Sequence, residues 1–433
     1  MDGCLPRIVS FAGLFVMMGL AWLMSEGRRR ISLRTVGAGL LLQLVFALLV
    51  LKTDPGQRFF EGAERAFGAL LAASNEGAGF LFGELVKPEL KVEGRLEEHL
   101  LRLGAVVAFQ VLPIVIFFSA LAGVLYHLGV TQLVVRAMAR VMQKAMNTSG
   151  AESLAAALFV FLGIEATTAI IEYIRRMTRS ELFTLMAGFM ATIAGSVMGA
   201  YVAFGVSAGH LLAASVMSAP AAIAIAKIMV PETEEPLTRG RVHFQPPREA
   251  VNVIDAAARG AGQGLGLALN IGAMLIAFVG LIALANLILG ALTDPQIVWG
   301  GWGVEYRFAE KLTLQRIFGW AFSPLAIAMG VTTWSDAAAV GQLLGTRLVI
   351  NEFVAYQQMS GMAAAGAISP RAAVIATYAL CGFANFGSVA ILIGGLGAID
   401  PERKGLIARL GVRSLIAGLL ASFMTACFAG ILV

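Results

Sequence analysis

Charged residues are scarce in this chain of 433 amino acids, because Asp, Glu, Lys and Arg together make up only 14% of it. A soluble globular domain is typically about 25% charged. Hydrophobic residues make up 58% of the chain, and its mean hydropathy is +0.81. The composition excludes an ordinary soluble domain and predicts an all-α polytopic membrane protein.

Residues that commonly hold metals, disulfides or phosphates are also few. The three cysteines and four histidines lie far apart and show no metal-ligand or disulfide spacing: Cys4, Cys381, Cys427, His99, His127, His210 and His243. No glycine-rich phosphate loop precedes a Lys-Ser or Lys-Thr pair. The stretch Gly205–Gly209 matches the serine-hydrolase elbow, but it joins two apolar runs rather than a strand and a helix. We therefore predict no enzyme activity, no cofactor and no certain metal site.

The net charge of +5 and the pI near 9.3 do not indicate nucleic-acid binding. The basic residues cluster in short loops between apolar runs, as in the cytoplasmic loops of membrane proteins. The first loop, Glu26–Thr35, holds four arginines, which predicts a cytoplasmic loop and an N-terminus outside. Because these arginines follow the first apolar run, that run is predicted to be a membrane helix rather than a signal peptide. The predicted location is the cell inner membrane.

Apolar runs predict about eight transmembrane helices and two re-entrant hairpins, together with interfacial helices. The predicted spans are Ile8–Met24, Val36–Leu51, Leu101–Leu128, Ser180 to about Phe204 with a break near Gly195, Leu211–Val230, Leu265–Leu292, a span from Ser369 with a break at Gly382–Ser388, and Leu415–Leu432. Interfacial helices are predicted within residues 53–100, at Val134–Met146 and at Ala250–Gly262, and cytoplasmic loops at 231–249 and Asp400–Arg413. The hairpins are Ser149–Arg176, opening to the cytoplasm, and two apolar arms within Phe318–Met362 that carry the Asn351-Glu352 pair in the second arm.

These elements divide the chain into seven predicted segments. They are the N-terminal spans with an outer-face segment (1–100), the third span with a basic interfacial helix (101–147), the first hairpin with its broken helix and following span (148–230), the cytoplasmic loop with an interfacial helix (231–263), a scaffold span with an outer loop (264–313), the second hairpin with its broken helix (314–400), and the last span (401–433).

Two parts of the chain follow the same pattern. In each, an acid lies in an apolar hairpin and a glycine marks a break in the next helix. The separations are equal, since Glu165 to Gly195 is 195 − 165 = 30 residues and Glu352 to Gly382 is 382 − 352 = 30 residues. The predicted topology places the first hairpin on the cytoplasmic side of the membrane and the second hairpin on the outer side. Such inverted repeats place substrate near the bilayer midplane at broken helices. We therefore expect Glu165 and Glu352 to approach one cavity from opposite sides.

The polar residues at predicted membrane depth form the candidate site, because intramembrane acids are costly and usually functional. They are Asn351, Glu352, Asn385 and Ser388, with Glu165 as a second carboxylate, and Phe353, Phe383 and Phe386 offer an apolar wall for a flat ring. The set lacks the paired cations expected for a phosphate or carboxylate substrate. It suits a small neutral polyol or an amide-bearing solute.

Two stretches carry a family resemblance. They are Gly345-x-Arg347-x-x-x-Asn351-Glu352-Phe353-Val354-Ala355-Tyr356 and Cys381-Gly382-Phe383-Ala384-Asn385-Phe386-Gly387-Ser388, supported by Ile193–Tyr201 and Asn270–Asn286. Through them the chain after about residue 100 resembles the concentrative nucleoside transporters of bacterial type. The resemblance implies ion-coupled nucleoside uptake, eight spans with two re-entrant hairpins, and a homotrimer. Arg347 stands where that family usually has lysine.

The resemblance also implies roles for individual residues. Substrate binding falls to Glu165, Asn351, Glu352, Phe383, Asn385, Ser388, Gly163 and Ile164, and ion coupling to Glu165, Phe161, Thr192 and Ile193. The first hairpin departs from the family pattern of glycine, glutamine, threonine and glutamate, since it reads Leu162-Gly163-Ile164-Glu165. Leu158 stands about where sodium-coupled members carry asparagine, and its side chain offers no oxygen to a hard cation. Because desolvation favours a protonated carboxyl group over an anion, H⁺ is favoured over Na⁺ as the coupling ion.

The sequence thus predicts a secondary active transporter that works by an elevator or rocking motion of the hairpin domain, with a nucleoside or similar small molecule as substrate. Two alternatives remain open at this stage. One is a transporter of another small polar solute on the same fold. The other is a membrane scaffold or channel-like subunit without coupled transport.

Overall fold

The structure, a computed structural model, describes residues 4–87, 89–93, 98–102, 106–163, 166–167, 170–239, 250–297, 299–301, 304–306 and 310–433. The helices in this part of the chain are α1 Cys4–Leu23, α2 Leu33–Lys52, α3 Asp54–Phe82, α4 Val107–Gln110, α5 Leu112–His127, α6 Val130–Met146, α7 Gly150–Phe159, α8 Ile171–Ile174, α9 Arg179–Ala191, α10 Gly195–Ala203, α11 Ala208–Met229, α12 Val253–Leu292, α13 Leu314–Ala328, α14 Trp334–Val349, α15 Glu352–Ala364, α16 Pro370–Leu380, α17 Phe386–Ile399 and α18 Lys404–Leu432. Two short antiparallel hairpins add β1 Glu89–Glu93 with β2 Glu98–Arg102, and β3 Trp299–Gly301 with β4 Val304–Tyr306.

The fold is that of an all-α polytopic membrane protein. Seven stretches in the described residues are long and apolar enough to cross a membrane: Cys4–Leu23, Leu33–Lys52, Val107–His127, Arg179–Ala203, Ala208–Met229, Val253–Leu292 and Pro401–Leu432. The eighth predicted span corresponds to α16 followed by α17, each of which is too short alone. The breaks predicted near Gly195 and Gly382 both occur, since α9 ends at Ala191 and α16 ends at Leu380.

Three predicted boundaries are wrong. The separate interfacial helix Ala250–Gly262 is the start of the 40-residue helix α12, because Gly260 packs against α5 instead of breaking the helix. Residues 404–413 of the predicted cytoplasmic loop form the first turns of α18. The region Phe318–Met362 contains three helices rather than two arms, and Asn351-Glu352 lies at the start of the last of them, α15.

The two hairpins enter the fold from opposite ends of α18, which spans about 40 Å at 1.5 Å per residue. Beside the first hairpin, Arg403, just before α18, donates to the carbonyl of Met177 at 2.7 Å. Beside the second, Arg371 donates to the carbonyl of Gly430, near the far end of α18, at 2.6 Å. The repeats are therefore inverted relative to each other.

Side-chain N-caps mark the start of several of the hairpin arms and half-helices. α7 and α9 both begin with a capping box, formed by Ser149 with Glu152 and by Thr178 with Glu181. On the opposite side, Asp336 at the start of the second hairpin accepts hydrogen bonds from the backbone and hydroxyl of Ser369, the N-cap of α16. Each hairpin is thus held next to the broken helix of its own repeat.

Helices α5 and α12 pack closely on each other through small residues. A side chain added at Gly260 or Gly264 would lie within 3 Å of α5 atoms around Ser119, so only glycine permits this approach. The remaining surface of α12 is mostly unpacked within the chain, and large apolar residues such as Leu269 and Ile276 are exposed on it. Helix α5 contacts the first repeat through α10, where the Phe118 ring lies against Gly199, and α12 contacts the second hairpin through Ile282, which packs with Ile350 and Val354.

Candidate substrate site

The tip of the second hairpin presents two polar side chains at the start of α15. Asn351 caps this helix, because its Oδ1 accepts the backbone N–H of Val354 at 3.0 Å. Glu352 is the first helical residue, and its side chain is buried with the residue 5% exposed. A carboxylate at a helix N-terminus is stabilised by the free N–H groups and by the helix dipole.

The two carboxylate oxygens of Glu352 accept hydrogen bonds from different repeats. The Tyr201 hydroxyl, on α10 of the first repeat, donates to Oε1 at 2.9 Å. Asn385 Nδ2, at the break in the second repeat, donates to Oε2 at 3.3 Å. These contacts bring Glu352 to the place where both broken helices meet.

Asn385 and Ser388 lie at the N-terminus of α17 and complete this polar group. Asn385 Oδ1 accepts the backbone N–H of Ser388 at 2.8 Å, which is the same capping arrangement as at Asn351. In the described part of the chain, neither the Ser388 hydroxyl nor Asn351 Nδ2 has a hydrogen-bond partner, although both residues are buried. These groups and the remaining lone pairs of Glu352 are available to a polar ligand.

The two helix breaks contact each other directly. The backbone N–H of Phe383 donates to the carbonyl of Thr192 at 3.2 Å, and the Phe383 ring lies 5.7 Å from that of Phe189. Gly195 donates to the carbonyl of Phe161 in the first hairpin at 3.0 Å. The structure therefore places the first hairpin, both breaks and the second hairpin in one continuous chain of contacts.

Of the predicted ion-coupling residues, Phe161, Thr192 and Ile193 lie in this region. The carbonyls of Phe161 and Thr192 each accept a backbone N–H, and the Thr192 hydroxyl donates to the carbonyl of Gly188 at 2.9 Å. Ile193, beside them, is fully buried. No group of three or more His, Cys, Asp or Glu side chains suited to a metal occurs within the residues that the structure describes.

The structure describes only some of the other predicted site residues. Gly163 is buried, and its carbonyl accepts the N–H of Ala166 at 3.1 Å. Ile164 and Glu165 lie outside the described residues, as does the predicted approach of Glu165 and Glu352 to one cavity. Of the two further aromatic candidates, Phe353 is buried against Tyr201 at 6.1 Å between ring centroids, whereas Phe386 is 54% exposed.

Arg347 is a fully buried cation behind the site. Its guanidinium donates to the carbonyls of Ala379 and Gly382 at the end of α16, and to the Ser422 hydroxyl of α18 at 3.1 Å. It therefore satisfies carbonyls that the break in α16–α17 leaves without helical partners. Because its donors are directed to the protein, Arg347 does not offer a paired cation to a substrate.

Sequence reasoning missed Tyr201 and a buried lysine, Lys227. Tyr201 ends the stretch Ile193–Tyr201 that supports the family resemblance, but its partner Glu352 is 151 residues away in the chain. Lys227 follows an apolar run and resembles an ordinary positive residue at the end of a span. Its ammonium group instead contacts Glu152 at 2.8 Å and Glu232 at 3.2 Å.

Family profiles match most of the chain. Residues 210–430 match the profile described as "Na+ dependent nucleoside transporter C-terminus", and residues 12–85 match the corresponding N-terminus. Residues 108–208 match a profile described as "Nucleoside recognition".

Relatives are found in bacteria and mammals. An uncharacterised transporter of Haemophilus influenzae is 43% identical over 428 residues, which cover 98% of this chain and 97% of that protein. Solute carrier family 28 member 3 of Mus musculus is 41% identical over 98% of this chain and 59% of its own length. Sodium/nucleoside cotransporter 2 of Rattus norvegicus is 38% identical over 98% of this chain and 63% of its own length.

Solved structures of the transporter CNTnw are also similar. The inward-facing, substrate-bound structure is 42% identical, with a TM-score of 0.86 over 99% of this chain and 98% of CNTnw. A substituted form of CNTnw in an outward-facing state is 41% identical, with a TM-score of 0.88 over 99% of both chains. These relatives are transporters and not enzymes. The chain belongs to the concentrative nucleoside transporter family.

Proposed function

We propose that this protein imports nucleosides across the cell inner membrane by alternating access, coupled to the entry of a cation. The observation that carries the proposal is the buried Glu352 carboxylate, held between Tyr201 and Asn385 where the two broken helices meet. Membership of a family described by nucleoside transport supports it, as do the inward- and outward-facing structures of CNTnw.

The chemistry of the site suits an uncharged sugar joined to a flat base. Sugar hydroxyl groups donate to Glu352, while the Asn351 amide and the Ser388 hydroxyl supply further donors and acceptors. The half-buried Phe383 ring offers a face for the base. Because Arg347 is bonded to backbone carbonyls, phosphorylated nucleotides find no matching cation in the described part of the site.

For the coupling ion, H⁺ is proposed over Na⁺, although the family description names Na⁺. Leu158 lies in the first hairpin arm and is fully buried. Its carbonyl already accepts two backbone N–H groups, from Phe161 at 3.0 Å and Leu162 at 2.8 Å. A hard cation needs several oxygen ligands, and neither the side chain nor this carbonyl provides a free one.

The packing also supports an elevator-type movement, with α5 and α12 as the static part. These two helices pack mainly on each other, while α5 touches the first repeat at the Phe118–Gly199 contact and α12 touches the second hairpin where Ile282 packs with Ile350 and Val354. The exposed apolar surface of α12 is suited to contacts with neighbouring copies, so we include a homotrimer in the proposal. The arginines after α1 favour an N-terminus on the outer side.

The test is uptake of radiolabelled uridine and adenosine into proteoliposomes that contain the purified protein. An imposed inward pH gradient without sodium should drive accumulation above the outside concentration, and an ionophore that collapses the gradient should abolish it. Uptake that needs sodium and ignores pH would overturn the proton proposal alone. If neither nucleoside is bound or exchanged under any gradient, the nucleoside proposal is wrong.

A further inference from the structure

The phenol of Tyr201 is the direct link between the first repeat and the candidate substrate carboxylate. The Tyr201 residue is fully buried, and its hydroxyl donates to Glu352 Oε1 at 2.9 Å. Its ring lies against Tyr356, with ring centroids 4.6 Å apart, and against Phe353. The hydroxyl is therefore held in place by packing, and its proton is directed at the carboxylate.

Because of this bond, the two carboxylate oxygens of Glu352 have different hydrogen-bond partners. Oε1 is occupied by Tyr201, whereas Oε2 faces Asn385 Nδ2 across a longer contact of 3.3 Å. A carboxylate has about four acceptor positions, so lone pairs remain after both bonds are made. With Oε1 held, the carboxylate plane is fixed, and the lone pairs of Oε2 are presented on the side of Asn385 and Ser388.

We infer that Tyr201 is a positioning residue that makes the site selective for the hydroxyl groups of the sugar. The inference rests on the proposed function, in which Glu352 accepts hydrogen bonds from the substrate. A fixed acceptor forms a hydrogen bond without losing rotational freedom, which is the usual advantage of a preorganised site. A nucleoside that lacks the sugar hydroxyl bonded to Glu352 does not use this acceptor, so the fixed carboxylate does not increase its binding affinity.

A purely structural role for Tyr201 predicts a different pattern. Loss of packing would weaken the binding of all nucleosides by one common factor. Loss of carboxylate orientation would weaken the hydroxyl-bearing nucleosides most. The replacement of tyrosine by phenylalanine separates these cases, because it keeps the ring and removes only the donor.

Tyr356 provides a matched control on the same aromatic contact. It is also fully buried, but its hydroxyl donates to the backbone carbonyl of Thr377 at 2.8 Å and not to Glu352. Tyr356→Phe therefore removes a buried tyrosine hydroxyl at a similar depth without releasing the carboxylate.

The experiment measures equilibrium binding of uridine, 2′-deoxyuridine and 3′-deoxyuridine, and of adenosine with its two deoxy analogues, to the detergent-purified full chain. In the wild type, at least one deoxy analogue should bind more weakly than its parent. In Tyr201→Phe, the parent nucleoside should lose roughly three- to tenfold in affinity, because the released carboxylate must then be ordered when the substrate binds. The ratio of parent to deoxy affinity should then shrink at least about threefold, in keeping with the preorganisation argument. Tyr356→Phe should keep the wild-type ratio.

The possible failures are distinguishable. An equal loss for every nucleoside in Tyr201→Phe, no loss at all, or an equal change of the ratio in Tyr356→Phe would overturn the role of Tyr201 and leave the proposed function standing. A wild-type protein that binds none of the six compounds would overturn the proposed function, and this inference with it.

Discussion

The backbone N–H of Phe383 donates to the carbonyl of Thr192 at 3.2 Å, and this single bond joins the broken helices of the two repeats. Both breaks lie beside the middle of α18, where Gly418 approaches Met190 and the Ser422 hydroxyl donates to the carbonyl of Cys381 at 3.0 Å. Irregular backbone at membrane depth persists only where it is buried in protein or lines a cavity. Here the two breaks satisfy part of each other's hydrogen bonding, and the candidate site lies beside them.

Replacement of Glu352 by glutamine should abolish uptake without preventing membrane insertion. The amide keeps the shape of the side chain but loses the charge, and it places a donor where Tyr201 and Asn385 both donate. We expect uptake to fall at least about tenfold, since hydrogen bonds to a charged group are among the stronger ones. The measurement is nucleoside uptake in proteoliposomes with matched protein content. Normal uptake by a well-expressed variant would contradict the assignment of Glu352 to substrate binding.

Gly382→Ala should destabilise the protein, because the break at this position needs glycine. Gly382 has φ +149°, and an added Cβ would lie 2.7 Å from the carbonyl oxygen of Met190 and 2.8 Å from Arg347 Nη2. Backbone strain of this kind costs about 1–3 kcal/mol, and the clash adds to it. The measurement is the thermal unfolding midpoint in detergent, which should fall by several degrees.

The matched control is Gly394→Ala in α17, where an added Cβ meets no atom within 4 Å. Alanine is favoured over glycine inside a helix by about 0.5–1 kcal/mol. The midpoint of this variant should therefore stay level or rise slightly. Equal losses for both variants would show that the close contact at Gly382 is not what limits stability.

The helix breaks were predictable from sequence, whereas the contacts between them were not. The equal spacing from each hairpin acid to the glycine of the next helix indicates two breaks at matching positions. Nothing local indicates that Phe383 bonds to Thr192, which is 191 residues earlier (383 − 192), or that Tyr201 bonds to Glu352. Such partners are set by tertiary packing.

At the start of α12, by contrast, the sequence predicts a helix boundary that does not occur. A short interfacial helix, Ala250–Gly262, is predicted before the span, in a stretch that is rich in glycine. Gly260 and Gly264 instead form a close-packing surface against Ser119 of α5, as small residues four apart do between membrane helices. Glycine content alone does not distinguish a break from a helix–helix contact.

Lys227→Met should destabilise the base of the first hairpin. The buried ammonium group forms an ion pair with Glu152 at 2.8 Å and donates hydrogen bonds to the Ser180 hydroxyl at 2.9 Å and to Glu232 at 3.2 Å. Removing one partner of a buried ion pair costs about 3–5 kcal/mol, because the other charge stays buried without compensation. The measurement is the unfolding midpoint in detergent.

Two further variants test whether the uncompensated buried charge causes the loss of stability. Adding Glu152→Gln to Lys227→Met should recover part of the lost stability, since it removes the uncompensated charge. Lys311→Met, which breaks a pair with Asp294 through a side chain that is 59% exposed, should change stability by less than about 1 kcal/mol. If the double variant is no more stable than Lys227→Met, the buried charge is not the source of the loss.

The last prediction concerns Leu158 and the coupling ion. Leu158 is fully buried in the first hairpin arm, one turn before Phe161, whose carbonyl lies at the break near Gly195. Leu158→Asn adds a carboxamide oxygen at the position where, by family resemblance, sodium-coupled members carry asparagine. Because a hard cation prefers oxygen ligands, a sodium gradient should stimulate nucleoside uptake by this variant and not by the wild type.

Leu158→Ala is the control, because it changes the same buried side chain without adding an oxygen. The alanine variant leaves a cavity that costs about 2–5 kcal/mol, and the asparagine variant buries a polar amide, so both variants should be less stable than the wild type. Only the asparagine variant should gain sodium dependence, measured as initial uptake into proteoliposomes at one pH with sodium or with choline outside. If a sodium gradient already stimulates uptake by the wild type, backbone carbonyls near Phe161 and Thr192 suffice to bind sodium without a side-chain oxygen at position 158. An asparagine variant that binds nucleoside but still follows only the pH gradient would show that one restored side chain does not rebuild the cation site.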